Sequence, residues 1–433
     1  MLNEILSIAE KYVDSAEVYY LENNLIPINF ESNKLKSIES KETRGISLRV
    51  IKNGKLGFST TTDLDSSSFD KLVKNAIEIS EYGPEVGWNF PSHKIESQSF
   101  KMNKKPSLDY MIKSAEELIN SILDEEKETL NHVSLNYSST REIIMNTNGV
   151  SAHREYDKLS LTCYSQLVRD NDIFYVYDGF STRKTEINYS NLLNKILFYI
   201  KKGKAIFEIN TKKLPVLFTN KALGSLLIPI EPALSGKSVL KGSSYFKNKL
   251  KSKVFDERLN IYEAPLEGLI PLHFDDEGIP TQKKYFIKNG ILESFYYDVD
   301  NAYQAGVKST GNGFRTGLSE IYPSISTLII EGNDKSFDEI ISEIDEGILI
   351  DGVLGAGQGN ILSGDFSVNI SQGYLIEKGK ILGRIKDCMI AGNTFEMFNN
   401  NIKYIENKSH WSVSGNRKYP SILFDNMNVV SKK

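Results

Sequence analysis

Histidines are the first residues to consider for chemistry, because histidine is both the commonest metal ligand and the usual acid–base group near neutral pH. The chain has five, at His93, His132, His153, His273 and His410. No two lie within one helical turn of each other, so the sequence offers no helical histidine pair to grip a metal ion. His273 lies close to Asp275 and Asp276 and is the best single candidate for acid–base work or metal binding. The favoured interpretation is nevertheless an exposed histidine in a surface turn.

A second set of side chains could line a substrate cleft or an interface. Asp275, Asp276 and Glu277 could be cleft carboxylates, although hydrated turn residues are favoured. Arg315 could bind a peptide carboxylate or form an ion pair across a subunit interface. Glycines 355, 357 and 359 could turn N–H groups toward an anion or an extended peptide, or simply form tight turns. The candidates for a cleft or interface are Asp275, Asp276, Gly278, Thr310, Gly311, Asn312, Arg315, Gly355, Gly357, Gln358 and Asp365.

Other familiar chemistries are disfavoured by the residues present. The G-x-S-x-G turn of a serine hydrolase is absent from the sequence. Residues 236–238 resemble the end of a P-loop, but Glu231 stands where the first glycine should be, which disfavours nucleotide binding. The net charge of −4 gives no general attraction to nucleic acid or to an anionic membrane. The lysine-rich run at residues 247–253 indicates a solvated face rather than a phosphate site.

The stretch from Leu214 to Ala233 predicts a platform of the kind that carries catalytic side chains. A buried strand, residues 216–218, is followed by Asn220 as the expected helix cap and then by apolar residues at helical spacing. Pro229 and Pro232 must kink or end that helix, because proline lacks the N–H donor and clashes with the preceding turn. The platform therefore presents apolar residues where catalytic groups would be expected.

The elements around this platform predict an α+β protein. A chain of 433 residues is too long for one ordinary core and suggests two domains of roughly 200 residues each. Residues 1–209 alternate amphipathic helices with antiparallel strands, including a hairpin that turns at Asn53 and Gly54, and predict a two-layer α/β domain. Residues 210–433 are richer in strands and turns and predict an antiparallel barrel- or sandwich-like domain. We expect the boundary between residues 209 and 216.

Several blocks of sequence resemble the TldD/PmbA family when they are taken together and in order. The N-terminal half has Arg49, Val50, Gly54, Gly57 and Phe58 in a run that is typical of that family's first domain. The C-terminal half has family-like blocks at residues 275–280, 288–290, 310–312 with Arg315, 363–367 and 389–393. The ending PSILFDNMNVV is similar to that of the PmbA branch, also called TldE.

The resemblance implies a role without catalysis. Active members of the TldD type carry an H-E-x-x-x-H zinc motif on the platform helix, and here Ile228, Pro229 and Ala233 occupy its three positions. None of these side chains can bind zinc or activate its water. The family's third zinc ligand, a cysteine, is replaced in a neighbourhood that reads Gly352, Val353, Leu354, Gly355. The resemblance therefore implies no cofactor and no catalytic residue in this chain.

The same resemblance implies partners. In the family, a TldE-like subunit forms a heterodimer with a TldD-like zinc peptidase around a cavity that admits unfolded or small peptides. This chain would line half of that cavity, and it could form a homodimer when alone. Two alternatives stay open, namely a self-sufficient homodimeric hydrolase with an unrecognised site and a regulatory protein-interaction module.

The first residues and the cysteines predict a cytoplasmic location. Glu4 interrupts the opening stretch and no continuous apolar segment follows, which predicts neither a secretory signal nor a membrane anchor. Only Cys163 and Cys388 are present, far apart in the chain, so we expect two small buried side chains rather than a disulfide or structural zinc.

Overall fold

The computed structural model describes residues 1–169, 172–358 and 360–431. The sequence also predicts a turn at residues 170–172. Part of that turn, and Gly359 with its expected exposed N–H, lie outside the described residues. The helices are α1 (Leu2–Ala9), α2 (Phe69–Ser80), α3 (Leu108–Glu125), α4 (Ser190–Gly203), α5 (Asn220–Leu226), α6 (Ile230–Ala233), α7 (Gly236–Leu240), α8 (Val299–Gln304), α9 (Phe337–Ser342) and α10 (Thr394–Glu396). Single turns of other helix types occupy Ser66–Ser68, Ile361–Ser363 and Met397–Asn401.

The strands are unequal in length, and the longest three are all in the first half of the chain. Those of the first half are β1 (Ser15–Glu31), β2 (Lys34–Ile38), β3 (Lys41–Lys52), β4 (Lys55–Thr61), β5 (Gln98–Phe100), β6 (Thr129–Asn146), β7 (Ser151–Arg169), β8 (Asp172–Thr182) and β9 (Ile206–Phe207). Those of the second half are β10 (Lys212–Phe218), β11 (Ile261–Glu263), β12 (Lys284–Lys288), β13 (Ile291–Leu292), β14 (Gly313–Phe314), β15 (Tyr322–Pro323), β16 (Leu328–Ile330), β17 (Glu346–Leu354), β18 (Asp365–Glu377), β19 (Lys380–Ile385), β20 (Cys388–Asn393), β21 (Ile402–Ile405), β22 (His410–Trp411), β23 (Arg417–Tyr419) and β24 (Ile422–Ser431).

The first half forms one twisted sheet with helices packed against one face. The order is β4-β3-β1-β6-β7, and β5 and β8 share the outer edge of β7. Along β1, Val18 and Tyr20 pack with α1 and α2, and Ile28 and Phe30 pack with α3. The intervening Tyr19 contacts Phe274 on the opposite face. This alternation places the four helices on one side of the sheet, which confirms the expected two-layer arrangement.

The second half contains a closed barrel. Strand β10 pairs with β24, β24 with β20, β20 with β18, and β18 with β17, all antiparallel, and β17 then returns to β10. These pairings make a ring of five strands, so the expected barrel is confirmed. The β10–β17 pair is parallel, because the chain leaves β10 through a long connection that includes α5 to α9, and such crossovers allow parallel pairing. A separate sheet, β13-β12-β11-β16-β23-β22, flanks the barrel.

The chain moves from the first sheet to the barrel between α4, which ends at Gly203, and β10, which begins at Lys212. The intervening β9 pairs in parallel with β19, so this connection already belongs to the second sheet. No helix within the described ranges combines the length and the hydrophobicity needed to cross a bilayer.

Candidate functional site

The platform helix is broken at Pro229, as the sequence predicts, whereas Pro232 lies within the second helical segment. Helix α5 ends at Leu226, and α6 begins at Ile230 after a short turn. The cap is Thr219 and not the expected Asn220, because the Thr219 Oγ1 accepts the N–H of Ala222 at 3.3 Å and donates to Asp351 at 2.8 Å. The platform is therefore tied to β17, the strand that carries Asp351.

The broken helix opens onto a pocket of about 350 Å³, which we call the small pocket. It brings together six residues that the sequence singles out, namely Ile228, Pro229, Gly355, Gly357, Gln358 and Asp365. Ala233, the third motif position, is 3% exposed and packs in the barrel core instead. Two of the three positions that the resemblance aligns with the motif thus line the small pocket together with the loop that follows β17.

The donors in the small pocket do not fit a zinc ion. Its wall on the platform side consists of Ser225, Leu226, Ile228 and Pro229. None of these side chains is an imidazole, thiolate or carboxylate, which are the ligands that zinc needs. Of the described residues that line the pocket, Asp365 is the only acidic one, and one of its carboxylate oxygens accepts a hydrogen bond from the Asn393 Nδ2 at 2.8 Å. Across the part of the chain that the structure describes, no three His, Cys, Asp or Glu residues are grouped to hold a metal.

The acidic block at residues 275–277 is buried, so the expectation of hydrated turn residues is wrong. Asp275, Asp276 and Glu277 are 0%, 6% and 1% exposed. The turn packs against the first sheet, where Phe274 meets Tyr19 and Val150. Gly278 in this turn has φ of +76°, a conformation that suits glycine, and a Cβ there would lie 3.0 Å from Val150.

A network of ion pairs stabilises the carboxylates in this buried position. Glu17 on β1 accepts from Arg49 on β3 at 2.9 Å and from Arg315 at 2.5 Å, and Arg49 also donates to Glu277 at 3.1 Å. Arg315 is therefore paired within its own chain, and the expected ion pair across a subunit interface is wrong. These four residues link the first sheet to the loops of the second half.

A second branch of the network holds the other two acids of the block. Asp276 accepts from Arg154 on β7 at 2.8 Å, and Arg154 also donates to Glu142 at 2.6 Å. Asp275 accepts backbone N–H groups of Glu277, Ile279 and Gly313 at 2.8–3.0 Å. Burial raises the pKa of Asp275 well above its ordinary value. Burial likewise raises the pKa of Glu277 to about 7, although Arg49 opposes the rise.

The glycine-rich loop with Thr310, Gly311 and Asn312 is also structural in its contacts. Asn312 donates to Glu263 at 2.9 Å and accepts from Lys284 at 2.9 Å and from Thr310 at 2.7 Å. A Cβ on Gly311 would lie 2.6 Å from the carbonyl oxygen of Pro280, so only glycine fits there. The candidate residues thus lie in two places. One is the small pocket, and the other is the contact between the first sheet and the loops of the second half, formed by residues 275–278, 310–312 and Arg315, which we call the buried junction. His273 is exposed and belongs to neither, in agreement with the favoured interpretation.

A larger cavity, of about 1040 Å³, was not anticipated from the sequence; we call it the large groove. It lies between the β7–β8 edge and α4 on one side and α5 and the β22–β23 hairpin on the other. Lys158, Asp178, Glu231, His410, Trp411 and Arg417 are among its lining residues. The alternation of polar side chains at Lys158 and Ser160 was the available signal, but it is equally typical of a solvated strand face.

The fold and the small pocket together define a class. The chain is an α+β protein whose five-stranded barrel carries a broken helix and a glycine-rich loop on either side of the small pocket. The model of the PmbA/TldA metallopeptidase C-terminal domain matches residues 211–431, and that of domain 1 matches residues 16–80. The chain belongs to the PmbA/TldD family of metallopeptidase-related proteins.

Individual relatives agree over nearly the whole length. An uncharacterized protein of Methanocaldococcus jannaschii is 28% identical over 414 residues, which cover 92% of this chain and 93% of that protein. The metalloprotease PmbA homolog of Buchnera aphidicola is 26% identical, with 91% and 89% covered. The crystal structure of TldE from Thermococcus kodakarensis superimposes with a TM-score of 0.90 at 22% identity, covering 99% of this chain and 100% of that one, and so shares the fold.

Proposed function

We propose that this protein is a non-catalytic, TldE-like subunit that pairs with a TldD-like zinc peptidase and lines part of a shared cavity for unfolded or small peptides. The observation that carries the proposal is the small pocket, whose platform wall of Ser225, Leu226, Ile228 and Pro229 provides no zinc ligand. A catalytic zinc needs three protein ligands and a base for its water. In this proposal the partner supplies all of them.

The buried junction supports this role. Asp275, Asp276, Arg315 and Asn312 are among the family-like blocks, and each of these side chains makes hydrogen bonds within the chain. Such a network holds the two halves, proposed as residues 1–209 and 210–433, in one fixed relation. A subunit that contributes a wall to a cavity needs this rigidity even when it performs no chemistry.

The proposal includes a cytoplasmic location and no nucleic-acid or membrane partner. Cys163 and Cys388 are buried and unbridged, which fits a reducing compartment.

The test is reconstitution. This chain, a TldD-like protein that keeps H-E-x-x-x-H, and their mixture are each incubated with casein and with short peptides. We expect no cleavage by this chain alone and chelator-sensitive cleavage by the mixture, abolished when the partner's motif glutamate is changed to glutamine. His273→Ala in this chain serves as a control and should leave cleavage largely intact, because His273 is exposed and lies outside the small pocket.

The two alternatives predict different outcomes. Chelator-independent cleavage by this chain alone would support a homodimeric hydrolase and refute the proposal. Formation of a complex without any effect on the partner's peptidase rate would instead support a regulatory interaction module.

A further inference from the structure

The large groove lies where the edge of the first sheet meets the second half of the chain. Lys158 on β7 and Gly179 and Ser181 on β8 form one wall. The opposite wall includes Lys221 on α5 and Trp411 on β22. The walls come from two parts of the chain held together by the ion network, so the groove does not depend on a second subunit.

Nearly all of the charge in this groove is neutralised internally. Lys195 pairs with Asp178 at 3.1 Å, Lys221 with Asp351 at 2.5 Å, Arg417 with Glu231 at 2.9 Å, and His410 with Glu406 at 2.7 Å. Lys158 is the exception, since its amine has no ion-pair or hydrogen-bond partner within the described ranges. Burial lowers the pKa of Lys158, as expected for a cation that has lost water without gaining a carboxylate. Among the described residues that line the groove, Lys158 is therefore a cation without a carboxylate partner.

The backbone of β8 provides a second binding feature. β8 pairs with β7 along one edge, and its other edge faces the second half of the chain. There the carbonyl of Tyr175 accepts from Gln372 at 3.3 Å, and that of Tyr177 accepts from Lys221 at 2.5 Å. Because peptide groups alternate in direction along a strand, the carbonyl of Gly179 and both backbone groups of Ser181 point the same way. These groups face the groove and can pair with an added strand.

The position of Lys158 relates the two features. The last pair of β8 with β7 is Thr182 with Leu159, and the last pair of β5 with β7 is Phe100 with Tyr156. Lys158 thus lies in the gap between two strands that share one edge of β7. A peptide that runs along β8 and passes its end reaches this gap, where its final carboxylate would meet the amine.

We propose that the large groove binds the C-terminal end of an extended peptide, whose backbone adds to β8 at Gly179 and Ser181 and whose terminal carboxylate is bound by Lys158. Addition to a sheet edge is indifferent to side chains, and carboxylate capture selects for a free chain end. Trp411 and Phe198, which are 40% and 41% exposed, give apolar surface for the peptide's side chains. The inference deepens the proposed function by locating a peptide on this subunit, at a site separate from the small pocket.

Calorimetric titration of the full chain alone tests the proposal. The probe is a short peptide, Ala-Val-Thr-Val-Ala, prepared with a free C-terminus and as the C-terminal amide. We expect the free acid to bind roughly ten- to a hundredfold more tightly than the amide, the range that a charge-assisted hydrogen bond provides. Lys158→Met should remove this preference by weakening the acid to the level of the amide.

Matched variants separate charge from structure. Lys184→Met makes the same change in net charge at an exposed lysine just past β8 and should leave both affinities unchanged. Ser181→Pro removes the outward N–H and leaves the pairing of β8 with β7 possible, so it should weaken acid and amide alike. Ser181→Ala controls for the hydroxyl, which bonds to Ser160 at 2.8 Å. Circular dichroism verifies that each variant is folded.

Three outcomes would overturn the proposal. The first is equal affinity of the full chain for the acid and the amide. The second is that Lys158→Met and Lys184→Met have the same affinities for the two peptides. The third is absence of binding at millimolar peptide. Displacement of the peptide by inorganic phosphate, together with insensitivity to Ser181→Pro, would assign the groove to a small anion instead. The titration uses no partner subunit, so it can detect peptide binding even if the reconstituted mixture shows no peptidase activity. Failure of this inference can therefore be distinguished from failure of the proposed function.

Discussion

Glu17→Gln replaces one carboxylate oxygen with an amide nitrogen, and it is expected to be among the most destabilising substitutions of this small size in the chain. Glu17 is completely buried and receives two hydrogen bonds from Arg49 and one from Arg315. The substitution keeps the size of the side chain but removes its negative charge and replaces one acceptor with an amide donor. One of the two guanidinium groups then faces a donor instead of an acceptor.

The structure sets the magnitude. When Glu277 is ionised, the formal charges of Glu17, Glu277, Arg49 and Arg315 cancel, and the glutamine leaves a net charge of +1 in a site from which water is excluded. Removal of one partner from a buried ion pair costs about 3–5 kcal/mol. Glu31→Gln is the matched control. Glu31 pairs with Lys36 at 3.2 Å, with 53% and 68% of the two side chains exposed, and such a pair contributes about 0–1 kcal/mol.

Urea denaturation followed by far-UV circular dichroism and by tryptophan fluorescence measures both variants, with the free energy of unfolding taken by linear extrapolation. Adding Arg315→Met to Glu17→Gln removes one orphaned charge, so the double variant should lose less stability than the sum of the single variants. Two results would refute the reasoning that this network joins the two halves. One is an equal loss of unfolding free energy in Glu17→Gln and Glu31→Gln. The other is a loss in the double variant that equals the sum of the losses in Glu17→Gln and Arg315→Met.

Three further predictions concern the cap, the pH and the metal. Thr219→Ala should cost about 1–2 kcal/mol in the same denaturation assay, because it removes the cap of α5 and a hydrogen bond to Asp351, whereas Asn220→Ala should change little. Because burial raises the pKa of Glu277 to about 7, its contribution to stability is full below its ordinary pKa of 4.5 and is lost as the pH rises through 7. Glu277→Gln should therefore flatten the decline in stability between about pH 5 and pH 8, and an unchanged slope would contradict the shift. Elemental analysis of protein purified without chelator should find no stoichiometric zinc, and one tightly held zinc per chain would exclude the non-catalytic assignment.

Local signals in the sequence predicted local structure well. The Asn53–Gly54 turn has both residues at positive φ. Ser336 and Glu339 have the spacing that predicts a capping box, and they form one. Each depends on residues a few positions apart, so backbone preference and side-chain hydrogen bonding suffice to specify it. The barrel also followed from strand content, because many short strands separated by turns favour closure.

Long-range pairing was where the sequence was insufficient. The residue pattern predicts two separate strands, at residues 16–21 and 28–38, yet β1 is continuous from Ser15 to Glu31. The middle of β1 lacks the alternation of buried and exposed residues that marks a strand in a sequence. Backbone hydrogen bonds to β3 and β6 stabilise it there, rather than packing in a core. The burial of Asp276 and Glu277 was missed because their arginine partners, Arg154 and Arg49, lie 122 and 228 residues away. Nothing near the acidic block signals that these partners exist.

The position of β24 in the barrel has a consequence for the order in which the protein can fold during synthesis. Residues 422–431 lie between β10 and β20, so the ring cannot close until this strand has left the ribosome. The first sheet, by contrast, is assembled entirely from residues before 183 and can form while the barrel strands are still being translated. Until β24 arrives, β10 and β20 expose strand edges that can pair with other chains. Nascent chains stalled before residue 422 should therefore need chaperones, whereas the first sheet should already resist proteolysis.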